Sequence, residues 1–163
     1  MDTASLLLFV RFHAASNRQI METAAALDDA ELRGPGPFDH GTAFQTLRHL
    51  VDVDWSWREF CTGHDPGQTY VWDQVPMEDL TSVAAFSAAE DETLTSYVGS
   101  LDEAGLTEQL GLDPEDPTDT VPRWLIVAHV VNHGTQHRSE LARYFTDRGH
   151  SPGEFDLLNA VQL

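Results

Sequence analysis

Apolar positions recur at three- and four-residue steps through most of the chain, the period of amphipathic helices. Leu6, Phe9, Val10, His13, Ile20, Ala24 and Leu27 mark a first helix that opens at a cap near Asp2 or Thr3. Gly34-Pro35-Gly36-Pro37 stops it. A second helix is predicted from near Thr42 to Thr62, ended by Gly63 and Pro66. Phe44, Leu47, Val51 and Trp55 lie on one of its sides and Leu50, Val53, Trp57 and Phe60 on the other, so it must touch more than one neighbour. Residues 63–80 read as a long loop, and a third helix spans roughly residues 81–104 through Val83, Phe86, Leu94, Tyr97, Val98 and Leu101. Asp113-Pro114-Glu115-Asp116-Pro117 reads as an acidic turn. A fourth helix follows Pro122, a residue suited to a first helical position, and ends at Gly149. Beyond Pro152 a short terminal helix is expected through Phe155, Leu157 and Leu158. No alternating pattern marks a strand. The expected fold is all-α, a four-helix bundle forming a single domain over residues 1–163.

Composition narrows the class. A chain of 163 residues with 41% apolar residues is long enough for one domain with a real core. Sixteen Asp and eleven Glu face nine Arg and no Lys, for a net charge of −18. Such a surface repels phosphates, which excludes nucleic acid as a direct partner and argues against docking on anionic lipid. A salt-rich cytoplasm would suit this balance, and so would codon bias against Lys. One cysteine, Cys61, excludes an internal disulfide and an all-cysteine metal site, and reads as a small buried residue. No apolar run reaches the roughly 20 residues of a membrane span, and no basic segment precedes the run at residues 6–10. A cytoplasmic protein acting on a small molecule is the expectation. Tyr70, Trp72 and Trp124 could line a pocket, although core packing is their ordinary use.

Chemistry concentrates in eight histidines, three of them spaced four apart as His129, His133 and His137. Two imidazoles one helical turn apart can converge on one metal ion. At about 100° per residue, His133 and His137 share the stripe of Ile126, Val130, Leu141 and Tyr144, while His129 falls at its edge as a cavity wall or an orienting partner. His133 and His137 are therefore the expected ligands, and a third must come from another helix. His49, between an apolar set and the polar set Gln45, Asp52 and Ser56, is one candidate. His13 is its competitor, with burial as a satisfied core residue its ordinary reading.

The segment His133-Gly134-Thr135-Gln136-His137-Arg138-Ser139-Glu140-Leu141, followed by Gly149-His150-Ser151-Pro152 and Asp156, resembles the DinB-like (YfiT-like) superfamily. His49-Leu50-Val51-Asp52 followed by Trp55 resembles its helix-two motif. Many members have Gly where this chain has Ser139. The resemblance implies a four-helix bundle, often dimeric, with a divalent metal (zinc or nickel foremost) held by His49, His133 and His137. It further implies a thiol transferase that joins a low-molecular-weight thiol such as bacillithiol, mycothiol or glutathione to an electrophile. A metal-dependent hydrolase and a non-catalytic metal-binding stress protein are the alternatives. Glu140, one turn from His137, is the candidate base or orienting partner, or else a solvated acid, and Asp52 stands in the same relation to His49. Arg138 points about 100° away from His137 and reads as a surface ion pair or a grip on a carboxylate at a dimer edge. A homodimer is also expected from the two-sided apolar arc of the second helix.

Overall fold

The computed structural model describes residues 1–64 and 66–158. Four long helices carry the fold: α1 (Thr3–Ala24), α3 (Ala43–Cys61), α5 (Leu80–Gly99) and α7 (Arg123–Thr146). Between them lie the short helices α2 (Asp29–Arg33), α4 (Val71–Gln74) and α6 (Glu103–Thr107), and the hairpin strands β1 (Gln109–Asp113) and β2 (Asp116–Pro122). The long helices pack in a ring, α1 against α5 and α7, and α3 against α5 and α7.

Local chemistry sets the helix starts. The side chains of Asp2, Thr42 and Asp79 accept from the backbone N–H of Ser5, Gln45 and Ser82, satisfying donors that a helix leaves free at its first turn. The first predicted helix is in fact two, because Asp28 and Glu31 form a reciprocal capping box that starts α2 after a break at residues 25–28. The third is likewise divided, α5 ending at Gly99 and Asp102 capping α6. The expected loop at residues 63–80 contains the single turn α4, whose first N–H, from Val71, is accepted by the buried Asp52 carboxylate at 2.7 Å. Pro122 stands as the N-cap of α7, one position before the first helical residue.

The hairpin corrects the expectation of no strand. Gln109 pairs with Pro122, Leu110 with Val121, Gly111 with Thr120 and Asp113 with Asp116 in antiparallel register, and the acidic Asp113–Pro117 stretch forms its tip. At the other end of the chain residues 151–156 form no regular element, and Leu157 and Leu158 enter a 3₁₀ turn. The rest of the expected terminal helix lies outside the described residues.

The core is split into two apolar clusters. Ile20, Ala24, Leu47, Val51, Val83, Leu141 and Tyr144 belong to one, and Leu6, Val10, Leu94, Val98, Val127 and Val130 to the other. Cluster order along each helix shows that α1 and α7 run one way and α5 the other. Between the clusters lies a buried polar layer: His13, Ser16 and Asn17 from α1, Asp54 from α3, Ser87 and Asp91 from α5, and His137 and Arg138 from α7. Cys61 is buried, and its thiol is pushed up to about 11 by that burial. Tyr70 is exposed and stacked on Trp72 rather than in the core, and Trp124 packs half-buried on the second cluster. No helix is long and apolar enough to cross a membrane, among the described residues.

Candidate metal centre

Helix α7 has neighbours on both flanks, so two of its faces carry polar side chains inward. Toward α3 it presents His133 and His137. Their Nε2 atoms are 3.2 Å apart, and His49 on α3 places its own Nε2 3.1 Å from that of His133. The three rings meet edge to face, with centroids 4.5–5.1 Å apart. Imidazole nitrogens bound at about 2.0–2.1 Å to one tetrahedral ion would lie roughly 3.3 Å from each other, close to the spacing found.

Protonation favours the same arrangement. Burial, reinforced by the neighbouring imidazoles, holds His49 down to about 3 and His133 down to about 4, so both are neutral near pH 7 with a lone pair to offer. His137 Nδ1 donates to Glu140 Oε2 at 2.9 Å, which fixes its tautomer and turns the Nε2 lone pair toward the other two rings. Glu140 is thereby an orienting partner of His137. Asp52 has no such relation to His49, since its carboxylate caps α4.

His40, which the helical phase of the sequence did not bring forward, joins this group. Its ring stacks on that of His49 at a centroid distance of 3.7 Å. Ligand-capable atoms of His40, His49 and His137 all lie within 4.8 Å of one another. A tight turn holds it there: Gly41 N–H donates to Phe38 O at 3.0 Å, and Gly41 takes φ of 89°, a region that glycine enters without strain. Desolvation, and then the nearby His137, lower the His40 pKa. His129 is not part of the cluster. It is exposed, edge-on to Trp57 with centroids 5.7 Å apart and 6.0 Å from the His133 ring.

Toward α1, α7 presents Gly134 and Arg138, and here the surface ion pair expected of Arg138 is replaced by full burial. Its Nη1 donates to Asn17 Oδ1 at 2.6 Å and to His13 Nδ1 at 3.1 Å. His13 Nε2 then donates to Asp54 Oδ2 at 2.9 Å, while Asn17 Nδ2 donates to Asp54 Oδ2 and Asp91 Oδ1. Helical phase placed Arg138 outside because it assumed one buried stripe, whereas α7 is flanked by α1 as well as α3. His13, Asp54 and Asp91 form a second group close enough to hold a metal ion. Their atoms are already engaged, His13 with Asp54 and both carboxylates with Asn17, and Arg138 supplies the balancing cation, so this group serves as a neutralised buried network. One Arg balances one carboxylate, and burial raises Asp91 to about 7. Asp54 Oδ1 and His133 Nδ1 are buried without a hydrogen-bond partner among the described residues.

The helical bundle agrees with comparison to known families: the chain belongs to the DinB family, whose model matches residues 1–162. No curated protein matches the chain.

Proposed function

We propose that the chain is a metal-dependent thiol transferase whose divalent ion is held by His49, His133 and His137. The observation that carries the reading is the convergence of three imidazoles, the Nε2 atoms of His49 and His137 lying 3.1 and 3.2 Å from that of His133, with the His137 ring oriented by Glu140. When bound, zinc or nickel would supply Lewis acidity and hold a low-molecular-weight thiol as its thiolate. The overall transfer would join the thiol sulfur to an electrophilic carbon, with loss of the leaving group from that carbon and of the thiol proton to solvent. The imidazoles position the ion, Glu140 holds His137 in the ligating tautomer, and the polar layer behind them keeps α7 in register with α1.

Cobalt substitution tests the proposal. A small thiol bound as thiolate is expected to give a sulfur-to-metal charge-transfer band in the near ultraviolet that is absent from His133→Ala. A spectrum unchanged by millimolar glutathione, cysteine, bacillithiol and mycothiol, with thiol-independent cleavage of an ester or amide, would favour a hydrolase instead. His40 motivates a second reading: as a fourth imidazole it would close the site and make it structural. In that case His40→Ala weakens metal binding as strongly as His49→Ala does. Under the transferase reading it leaves most binding in place. Cytoplasmic location and assembly as a homodimer belong to the same proposal, and light scattering at about ten micromolar in low and high salt is expected to give twice the chain mass.

A further inference from the structure

We infer that the cavity beside His129 is the pocket for an uncharged aromatic or branched hydrocarbon group of the substrate, an inference that rests on the metal reading for its placement next to the reacting end. The cavity measures about 380 Å³ and is walled by Trp57 of α3, Leu112 and Val121 of the hairpin, and Leu125, Ile126 and His129 of α7. That volume lies in the range of small-molecule pockets. Among the described residues no Asp, Glu, Arg or Lys lines it. A charged group would lose water there without gaining a partner, while an apolar one gains roughly 25 cal/mol per Å² removed from water.

Position and shape sharpen the class. The His129 ring stands between Trp57, at 5.7 Å, and His133, at 6.0 Å, so the cavity is one imidazole removed from the histidine cluster. Trp57 and His129 meet at an interplanar angle of 78°, a corner of two aromatic walls against which a third ring can stack. Leu112 and Leu125 are 39% and 41% exposed, an apolar pair that the fold leaves in water. A larger cavity of about 710 Å³ runs between α1 and α5, on the flank of the bundle opposite the α3–α7 pair, and includes Arg18, Glu22, Asp91 and Glu92. Its charges and its place between α1 and α5, away from the α3–α7 pair that carries His49, His133 and His137, set it apart.

Fluorobenzene, followed by ¹⁹F NMR, is the probe. Saturable binding is expected to zinc-loaded protein, with 4-fluorobenzoate at least tenfold weaker. Leu112→Arg and Leu125→Arg, both at exposed positions, should each weaken fluorobenzene at least tenfold while circular dichroism and metal content stay unchanged; Leu125→Met and Ala88→Arg, the latter in the α1–α5 groove, should bind as the parent does. In cobalt-loaded protein the bound fluorine should relax faster than in the zinc form. No saturable binding, equal binding of the benzoate, or loss in Ala88→Arg but not Leu125→Arg overturns the inference. Binding that obeys the Leu variants but shows no paramagnetic relaxation overturns its placement beside the reacting end. If His133→Ala keeps its metal, the metal reading fails by itself, and the Leu variants still report on the pocket.

Discussion

At the scale of residues, the cluster's chemistry makes its members unequal. His133→Ala and His137→Ala are each expected to abolish stoichiometric metal binding, and His49→Ala to weaken it strongly, whereas His129→Ala keeps most of it; elemental analysis of chelator-free protein decides. Glu140→Gln leaves a weaker acceptor for His137 Nδ1 and should cost about 10- to 100-fold in metal affinity. Asp91 is testable through pH. Its carboxyl is protonated up to about pH 7 in the folded state but only to its ordinary 3.8 when unfolded, so the folded state holds the extra proton in between and stability falls as pH rises through that window. The loss is on the order of 4 kcal/mol at most. Asp91→Asn keeps an oxygen for the Asn17 amide and cannot ionise. From pH 5 to pH 8 the urea midpoint of the metal-free parent should therefore fall relative to that of the variant; His49 and His133, neutral when folded and protonated at pH 5 only when unfolded, add a rise over the same range in both proteins that cancels in the comparison.

At the scale of elements, the sequence disclosed what is periodic and hid what is not. The α3 start at Thr42 was legible because a capping Thr precedes a broadly apolar run, and His133 and His137 were legible because a four-residue spacing on one helix can be phased. His40 sits in a turn before α3, where no periodicity exists to aim it. The break between α1 and α2 had a readable signal in Asp28-Ala30-flanked Glu31, a capping box hidden behind an unbroken apolar count from Ala24 to Leu27. The hairpin had none: Asp116-Pro117-Thr118-Asp119-Thr120 is exposed throughout, so burial never imposed the alternation that marks a strand. Arg138 was misplaced because one helix cannot report a second partner. That second contact makes a sharp prediction. A Cβ on Gly134 would lie 2.5 Å from Arg138 Nη1 and 2.6 Å from His13 Cε1, both held in the buried network. Gly134→Ala gains in helix propensity, roughly 1 kcal/mol, yet should still lower stability, by about 1–3 kcal/mol net. Chemical denaturation reads the sign, and a more stable variant would mean that α1 and α7 can separate at no cost.

At the scale of the whole molecule, one imbalance stands outside the site. The chain carries −18 with only nine cations, and Arg138 and Arg58 are committed to buried or half-buried networks, the latter paired with Glu90 and Glu59. Surface acids are therefore mostly uncompensated, and compaction brings them together. Self-repulsion of this kind acts over roughly 10 Å at 0.1 M salt and over roughly 3 Å at 1 M, so added salt relieves the folded state more than the expanded one. The melting temperature at pH 7 is expected to rise on adding about 1 M potassium chloride. The charge origin of that rise has its own control. Near the isoelectric point of about 4.4 the net charge vanishes, and the same addition should there give little or no increase. An equal rise at both pH values would assign the effect to general salting-out of apolar surface, and a flat response at pH 7 would mean that the acids are already spread widely enough not to oppose folding.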